Sequence, residues 1–230
     1  MQLERLSERV WIYPFEQERD RPNLGYIRGE KWSLAVDAGH SAAHVGEFYR
    51  ALEAAGLPLP ALTVLTHWHW DHTLGMHAAN GLCLANARTK DHLAALQRKI
   101  AREGEEALFS LEESIRREYA CGQRVRVSLP DMTFAGGMAL DAGNCPVRII
   151  EAEAPHTDDS TLILLPEEKI LFLGDAACDV FSTGEKDAVL CQKLADTIRS
   201  TGASIVMEGH WTPQTPGEMI ADLLSDASQA

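Results

Sequence analysis

The sequence predicts an α+β fold in which two β-sheets pack face to face and helices cover their outer faces, a four-layer αββα sandwich. In the first third of the chain, apolar runs alternate with one amphipathic helical run, which is the order expected of a sheet covered by a helix. From residue 125 onwards, short apolar runs separated by Gly and Pro turns predict a second sheet. The 230 residues suit one sizeable core, so we expect a single domain over residues 1–230.

The first sheet begins in the N-terminal region. Apolar residues at 10–15 predict a strand, and the runs at 23–28 and 32–36 predict a hairpin. Ser41 is a suitable cap for the helix that follows, whose apolar residues recur at helical spacing. The run at 61–65 predicts the next strand, and it ends just before the stretch of the chain that is richest in reactive side chains.

A long helical segment is predicted at about residues 86–121, after a short helix at 73–79 and a short strand at 81–85. Between residues 89 and 119, apolar side chains recur at three- and four-residue spacing. Gly104 falls within this run, and because Gly costs about 1 kcal/mol inside a helix, we expect a bend or a break there. The pattern is compatible with a lid over a cleft and equally with a helical layer packed on the sheet.

The second sheet is predicted from apolar runs in the following region. Its strands are expected at 125–127, 132–134, 147–152, 161–165 and 170–173. The pattern then predicts a helix at 186–198, a strand at 204–207 and a terminal helix at 214–224.

Four potential metal ligands directly follow the predicted strand at 61–65, namely His67, His69, Asp71 and His72. Neutral imidazole and carboxylate groups are common ligands of divalent metals. In an extended segment, His67, His69 and Asp71 would point to one face and His72 to the other, so one loop could supply two adjacent metal sites. Each catalytic zinc with an open position needs three protein ligands, and the remaining ligands must therefore come from later in the chain.

The HxHxDH pattern of these four residues resembles the signature of the metallo-β-lactamase superfamily. The resemblance continues in the family's order with His156, Asp175 and His210, each near the end of a predicted strand, and it spans about residues 10 to 211. His40 and His44, which also precede or begin a helix, are predicted as polar surface residues and not as ligands.

The resemblance implies the αββα fold and a centre that holds two divalent metal ions. The implied ligands are His67, His69 and His156 for the first metal, Asp71, His72 and His210 for the second, and Asp175 as a bridge between them. Asp37 is implied to support the metal loop from outside the ligand set. This donor set suits zinc, with iron or manganese as alternatives.

Such a centre implies hydrolysis by a hydroxide bound to both metals, because divalent metals lower the pKa of water to near neutral and polarise the substrate oxygen. Asp71 and Asp175 are then the catalytic carboxylates, the first as acceptor of the nucleophile's proton and the second as the bridge. Asp175 stands where the zinc β-lactamases carry Cys, and Pro155 stands where Gly is usual. Both departures argue against β-lactamase activity.

Aromatic residues beside the ligands are candidates for a substrate cleft. Trp70, within the motif, and Trp211, next to His210, are expected to line such a cleft. Trp68, the other tryptophan of the motif, is predicted to complete the core, because large aromatic side chains near a buried loop usually do so.

Net charge and hydropathy indicate which kinds of partner the protein can have. The formal net charge of −13 argues against a nucleic-acid partner, which would need clustered Lys and Arg. No apolar run approaches the ~18 residues of a membrane helix, so a small-molecule substrate is the expected partner and a membrane is not. Five cysteines without CxxC spacing, and no visible secretory signal, predict free thiols in a reducing cytoplasm.

The expected function is metal-dependent hydrolysis of a small ester, thioester, lactone or amide. The resemblance leaves two other activities open: that of a mononuclear iron enzyme similar to the persulfide dioxygenases, and that of a phosphodiesterase or nuclease, which the acidic charge disfavours. A binding protein without catalytic activity would be expected to have lost ligands, whereas all seven are present.

Overall fold

Two β-sheets dominate the protein, which we describe from a computed structural model of residues 1–225. Within these residues, the strands of the first sheet lie side by side in chain order. They are β1 (Glu4–Arg5), β2 (Val10–Tyr13), β3 (Leu24–Arg28), β4 (Ser33–Val36), β5 (Leu62–Val64), β6 (Leu82–Asn86) and β7 (Met132–Phe134). The pairs from β1 to β4 are antiparallel, and the pairs from β4 to β7 are parallel.

The second sheet is mainly antiparallel. Its strands are β8 (Gly137–Asp141), β9 (Pro146–Glu151), β10 (Thr161–Leu165), β11 (Ile170–Gly174) and β12 (Ile205–Glu208). They lie in the order β12-β11-β10-β9-β8, and only the pair β11–β12 of this sheet is parallel within the described residues.

Helices cover the outer faces of both sheets. They are α1 (Ala42–Ala54), α2 (Trp70–Thr73), α3 (Ala87–Glu103), α4 (Glu106–Phe109), α5 (Glu113–Glu118), α6 (Ala188–Thr201) and α7 (Pro216–Ser225). Ser41 caps α1 as predicted, since its hydroxyl accepts a hydrogen bond from the backbone N–H of His44. Helix α1 packs on the outer face of the first sheet through Phe48 and Leu52, and α6 and α7 pack on the second.

The main core lies between the two sheets. Val36 and Val64 of the first sheet meet Ile163 and Phe172 of the second in one buried cluster. All four side chains are nearly or fully removed from solvent, and each such burial stabilises the fold by about 1.5–3 kcal/mol. The order helix, sheet, sheet, helix confirms the αββα sandwich that the sequence predicts.

The helical segment predicted at 86–121 consists of three helices, α3 to α5. Asn86 caps α3, because its side-chain oxygen accepts a hydrogen bond from the N–H of Arg88 at 2.9 Å. The helix ends at Gly104, which has φ 79° and ψ 177°, a backbone conformation that essentially only Gly adopts. The break expected at Gly104 is therefore confirmed.

A buried ion pair fixes the far end of this segment to the N-terminal region. Nε and Nη2 of Arg21 donate to the two carboxylate oxygens of Glu118 at 2.7 and 2.8 Å, and the two side chains are 1% and 0% exposed. The hydroxyl of Ser41 also donates to Glu118, and the hydroxyl of Tyr119 donates to the backbone carbonyl of His40. These contacts favour a fixed wall over a lid hinged at Gly104.

Two of the predicted strand assignments need correction, and one observed strand was not predicted. Residues 125–127 form no strand, because the carbonyl of Val127 accepts a hydrogen bond from the side chain of Gln97 in α3 instead of from a neighbouring strand. Strand β7 belongs to the first sheet, where it pairs with β6. Strand β8, which begins at Gly137, was not predicted, because its first residues have the composition of a turn.

Two further expectations concern membrane-spanning helices and thiols. Among the described residues, no helix is both long and apolar enough to span a membrane. All five cysteines are free thiols, as predicted. The cytoplasmic location remains a prediction.

Candidate metal centre

The predicted ligands converge at one edge of the sandwich, where strands of both sheets end. Strand β5 leads into the segment that starts at His67, β11 leads directly into Asp175, and β12 is followed by His210. His156 lies in the connection between β9 and β10. The backbone N–H of Gly209 donates to the carbonyl of Gly174, which holds the ends of β11 and β12 together.

The chain changes conformation inside the HxHxDH motif. His69 has extended backbone angles and precedes the first residue of α2, so Asp71 and His72 lie on a helical turn. The prediction that Asp71 shares a face with His67 and His69 is therefore wrong, because the alternation of an extended segment ends at His69. The helical turn places Asp71 and His72 together instead.

The first cluster consists of three imidazoles. Nε2 of His67 and Nε2 of His156 each lie 3.0 Å from Nδ1 of His69. The side chain of His67 is 2% exposed, that of His156 11%. Three ring nitrogens that converge from two separate loops form an arrangement able to hold a metal ion.

The second cluster adds carboxylates to imidazoles. Oδ2 of Asp71 lies 2.9 Å from Nε2 of His210 and 3.1 Å from Nε2 of His72. Asp175 completes a group of four potential ligands whose donor atoms all lie within 4.8 Å of one another.

Asp175 lies between the two clusters. Its Oδ2 atom is 3.3 Å from Nε2 of His72 and 3.6 Å from Nε2 of His210 in the second cluster. The same oxygen is 3.9 Å from Nε2 of both His67 and His156 in the first cluster. One carboxylate oxygen therefore faces both groups of nitrogens.

Asp37 lies behind the second cluster. Its Oδ2 atom is 2.8 Å from Nδ1 of His72, and its Oδ1 atom accepts hydrogen bonds from the backbone N–H and the hydroxyl of Thr66. Asp37 has φ 65°, an unusual conformation for a non-Gly residue that directs its carboxylate towards both partners. A carboxylate on the far nitrogen fixes the orientation of a ligating imidazole.

Close approach at the site requires glycine at position 209. A Cβ atom there would clash with Oδ1 of Asp175 and would lie 2.9 Å from Cε1 of His72. Both contacts are too short for any side chain, so Gly209 is needed for these two groups to occupy their positions.

The electrostatics of the two clusters differ. Burial and the neighbouring His156 lower the pKa of His69 to about 3, which keeps this ring neutral. Burial would also lower the pKa of His210, but the carboxylates of Asp175 and Asp71 raise it to about 9. The second cluster thus concentrates negative charge, and the first offers neutral nitrogen donors.

The donor set fits divalent metal ions. Oδ1 of Asp175 is buried and has no hydrogen-bond partner, a state that costs about 1–3 kcal/mol for such a group. Nε2 of His72 is also buried and makes no hydrogen bond, although Oδ2 of Asp71 and Oδ2 of Asp175 lie only 3.1 and 3.3 Å away. A cation would satisfy these atoms. Imidazole nitrogens with carboxylate oxygens are donors that suit zinc, iron and manganese.

The two tryptophans of the motif differ in burial. The expectation that Trp70 lines a cleft is wrong, whereas Trp68 packs against two core clusters, as predicted, and keeps part of its surface exposed. Trp70 is 3% exposed and packs in a core cluster with Leu74 and Leu96, so it does not line an open cleft. Trp68 is only half-buried and lies beside the first cluster, with its ring centroid 4.6 Å from that of His69. The burial of Trp70 follows from the helical turn after His69, which directs its side chain towards Leu96 of α3.

Trp211 is 57% exposed beside His210, and its role in a substrate cleft stays a prediction. Its backbone carbonyl accepts a hydrogen bond from the side chain of Asn23 at 2.8 Å.

The sequence did not predict that several further residues lie near the metal centre. His40 and His44 are fully buried, and the prediction that they lie on the surface is wrong. Their burial depends on the packing of α5 and of the N-terminal loop, which sequence spacing does not reveal. Asp20, whose Oδ1 lies 3.6 Å from Nδ1 of His210, and Phe181, whose ring contacts His69, are also at the site. The only sequence signal for Phe181 was an aromatic residue in a polar, Gly-containing loop.

Comparisons with known proteins identify the family. The model of the metallo-beta-lactamase superfamily matches residues 19–188. The chain is 26% identical over 221 residues to a Gallus gallus protein named acyl-coenzyme A thioesterase MBLAC2, covering 87% of this chain and 76% of the relative.

Solved structures share the fold. A metallo-beta-lactamase from Pontibacter korlensis superposes with a TM-score of 0.73 at 18% identity, covering 100% of this chain and 99% of the other. A metallo-beta-lactamase family protein from Thermus thermophilus gives a TM-score of 0.71 at 18% identity, covering 97% and 81% of the two chains. At such identities the likeness concerns the fold alone, while the family model covers most of the chain. This protein belongs to the metallo-β-lactamase superfamily.

Proposed function

We propose that the protein is a hydrolase that uses two divalent metal ions to cleave acyl thioesters, and that both ions are zinc. The observation that carries the proposal is the position of Asp175, whose Oδ2 atom faces the nitrogens of both clusters. The thioester is suggested by the relative named as an acyl-coenzyme A thioesterase.

The proposal assigns a separate role to each residue of the centre. His67, His69 and His156 would hold the first metal, Asp71, His72 and His210 the second, and Asp175 would contact both. When bound, such metals lower the pKa of water and polarise a carbonyl oxygen. Asp71 would take up the proton of the attacking water through the carboxylate oxygen that does not face His72 and His210. Asp37 would keep His72 oriented through the contact at Nδ1.

The alternatives receive less support. A mononuclear iron enzyme needs one complete ligand set, whereas here Asp71, His72 and His210 form a second set beside the three imidazoles. A nuclease would need a basic surface, and the net charge is −13. A β-lactam substrate finds no support in the solved β-lactamase structures, because their likeness extends only to the fold.

The proposal predicts zinc-dependent release of a free thiol from acyl thioesters. Metal-stripped protein would be reloaded with zinc and offered acyl-coenzyme A thioesters, the matching oxygen esters, a lactone and a β-lactam, with thiol or acid release as readout. We expect turnover of the thioesters with zinc and none without it.

Histidine variants provide the control. His156→Ala removes a ligand of the first cluster and should abolish turnover, whereas His77→Ala removes a half-buried imidazole whose Nδ1 contacts only the carbonyl of Leu74 and should leave turnover intact. Absence of thioester cleavage by protein that holds two zinc ions would refute the thioester assignment.

A further inference from the structure

A cavity of about 410 Å³ opens beside the first cluster, on the side of His156. Trp68, Pro155, Phe181 and Leu190 form its apolar walls. Its size lies within the ~300–1,000 Å³ typical of small-molecule sites. None of the seven candidate metal ligands except His156 lines it, so the cavity adjoins the metal centre without being part of it.

Phe181 is held against the imidazoles by backbone contacts. Its N–H donates to the carbonyl of His156 at 3.2 Å, and Nδ1 of His156 lies 2.9 Å from the carbonyl of Asp179. The ring centroid of Phe181 is 4.1 Å from that of His69, yet the residue is 40% exposed. The exposed part of this ring lines the cavity next to the first cluster.

Trp68 lies next to Phe181 in the cavity wall and is fixed by its neighbours. Its indole ring stacks on His92, with centroids 5.4 Å apart and an interplanar angle of 28°, and it makes an edge contact with Phe181 at 6.0 Å. His92 is in turn held by Asp158, with Nε2 and Oδ1 2.6 Å apart. The wall is therefore in place before a ligand arrives, which reduces the entropic cost of binding.

The charge of the lining residues indicates which part of an acyl-coenzyme A thioester the cavity can bind. The residues that line it, all within the described part of the chain, include the carboxylates of Asp158 and Asp187 and include neither Lys nor Arg. Phosphate groups of a coenzyme would be repelled there, because like charges raise the free energy of binding. A hydrocarbon chain has no such penalty and gains from apolar contact.

We propose that this cavity binds the hydrocarbon portion of the acyl group, with the reacting carbonyl at the imidazoles of His69 and His156 and the thiol portion directed away from the cavity. This assignment rests on the proposed thioester hydrolysis and deepens it, because it names the part of the substrate that determines specificity. Phe181 and Trp68 are then specificity-determining residues.

The test measures binding in the absence of turnover. Thioether analogues, in which an alkyl chain of increasing length is attached to coenzyme A through a bond that the enzyme cannot hydrolyse, would be titrated into zinc-loaded protein by calorimetry. Each buried methylene should strengthen binding about fourfold until the cavity is full, the factor that corresponds to ~0.8 kcal/mol per CH₂. Equal affinity for short and long chains would overturn the proposal.

Variants of residues that line the cavity test whether the dependence of binding on chain length arises there. Phe181→Ala should weaken binding of the long-chain thioether at least ~10-fold while changing that of the shortest by less than about twofold, and Phe181→Leu should restore most of the loss. Leu190→Trp should fill the cavity and shorten the preferred chain. Val189→Ala, an exposed apolar residue on the same helix that does not line the cavity, is the matched control and should leave the chain-length profile unchanged.

The outcomes separate the two proposals. If Phe181→Ala weakens all chain lengths equally, or if Val189→Ala has the same effect, the cavity is not the acyl site. If binding strengthens with chain length but no thioester is cleaved, the proposed thioester hydrolysis is refuted, whereas binding of a hydrocarbon chain in the cavity is supported. Zinc content of every variant, measured on the same preparations, identifies a variant that has disturbed the metal centre.

Discussion

Replacing Asp175 by Asn is expected to reduce turnover by more than ~100-fold and to weaken the binding of at least one metal ion. The substitution preserves size and shape but removes the negative charge from the oxygen that faces both clusters. Loss of a partner behind a ligand already costs about 10–100-fold in metal affinity or activity, and Asp175 is proposed to contact the metals directly. The loss should therefore exceed that range.

Metal content and turnover would be measured together on Asp175→Asn and on the unmodified protein. Asp196→Asn makes the same change of charge on the exposed face of α6, where Asp196 accepts hydrogen bonds from Arg199 and Gln192, and should leave both quantities unchanged. If Asp175→Asn retains both metals and near-normal turnover, Asp175 is a turn residue at the end of β11 and the bridging role is wrong.

Replacing Glu118 by Gln is expected to lower the free energy of unfolding by about 3–5 kcal/mol. The amide keeps the shape of the side chain but leaves the guanidinium of Arg21 buried opposite an uncharged group. The effect should lie near the lower end of this range, because Oε2 of Glu47 remains 3.1 Å from Nη1 of Arg21. Urea unfolding of the metal-free protein, followed by circular dichroism, provides the measurement.

Two further variants test the source of this loss. Glu113→Gln removes an exposed charge from the same helix and should change the free energy of unfolding by less than about 0.5 kcal/mol. The double variant Arg21→Met, Glu118→Leu removes both charges. Its loss of unfolding free energy should be smaller than the sum of the losses measured for Arg21→Met alone and Glu118→Leu alone. Strict additivity would show that the buried pair does not act as a unit.

The metal centre was the part of the molecule most accessible to sequence reasoning. Its ligands follow strands, and the HxHxDH spacing is local, so His67, His69 and His72 are recognisable within one short segment. His156, Asp175 and His210 were predicted from the resemblance to the metallo-β-lactamase superfamily and its order of ligands. Their convergence depends on the fold, in which the parallel strands β11 and β12 bring Asp175 and His210 to one edge of a sheet. The structure brings all of them together. Their roles as metal ligands are part of the proposed function.

Tertiary packing decided the features that the sequence did not reveal. The change from extended chain to helix at His69 buries Trp70, which was expected in a cleft, and no residue at this boundary signals the change. Arg21 and Glu118 are 97 positions apart, so nothing in the local pattern indicates that they pair. Phe181 lies in an irregular loop whose position depends on backbone contacts with His156.

The most direct test of the two-metal centre is the metal content per chain of zinc-loaded protein, measured by elemental analysis after exhaustive removal of unbound zinc. We expect a plateau at two zinc ions per chain for the unmodified protein. His72→Ala, which removes a ligand proposed for the second metal alone, should lower the plateau to one. A plateau at one zinc ion in the unmodified protein, unchanged by His72→Ala, would contradict the account.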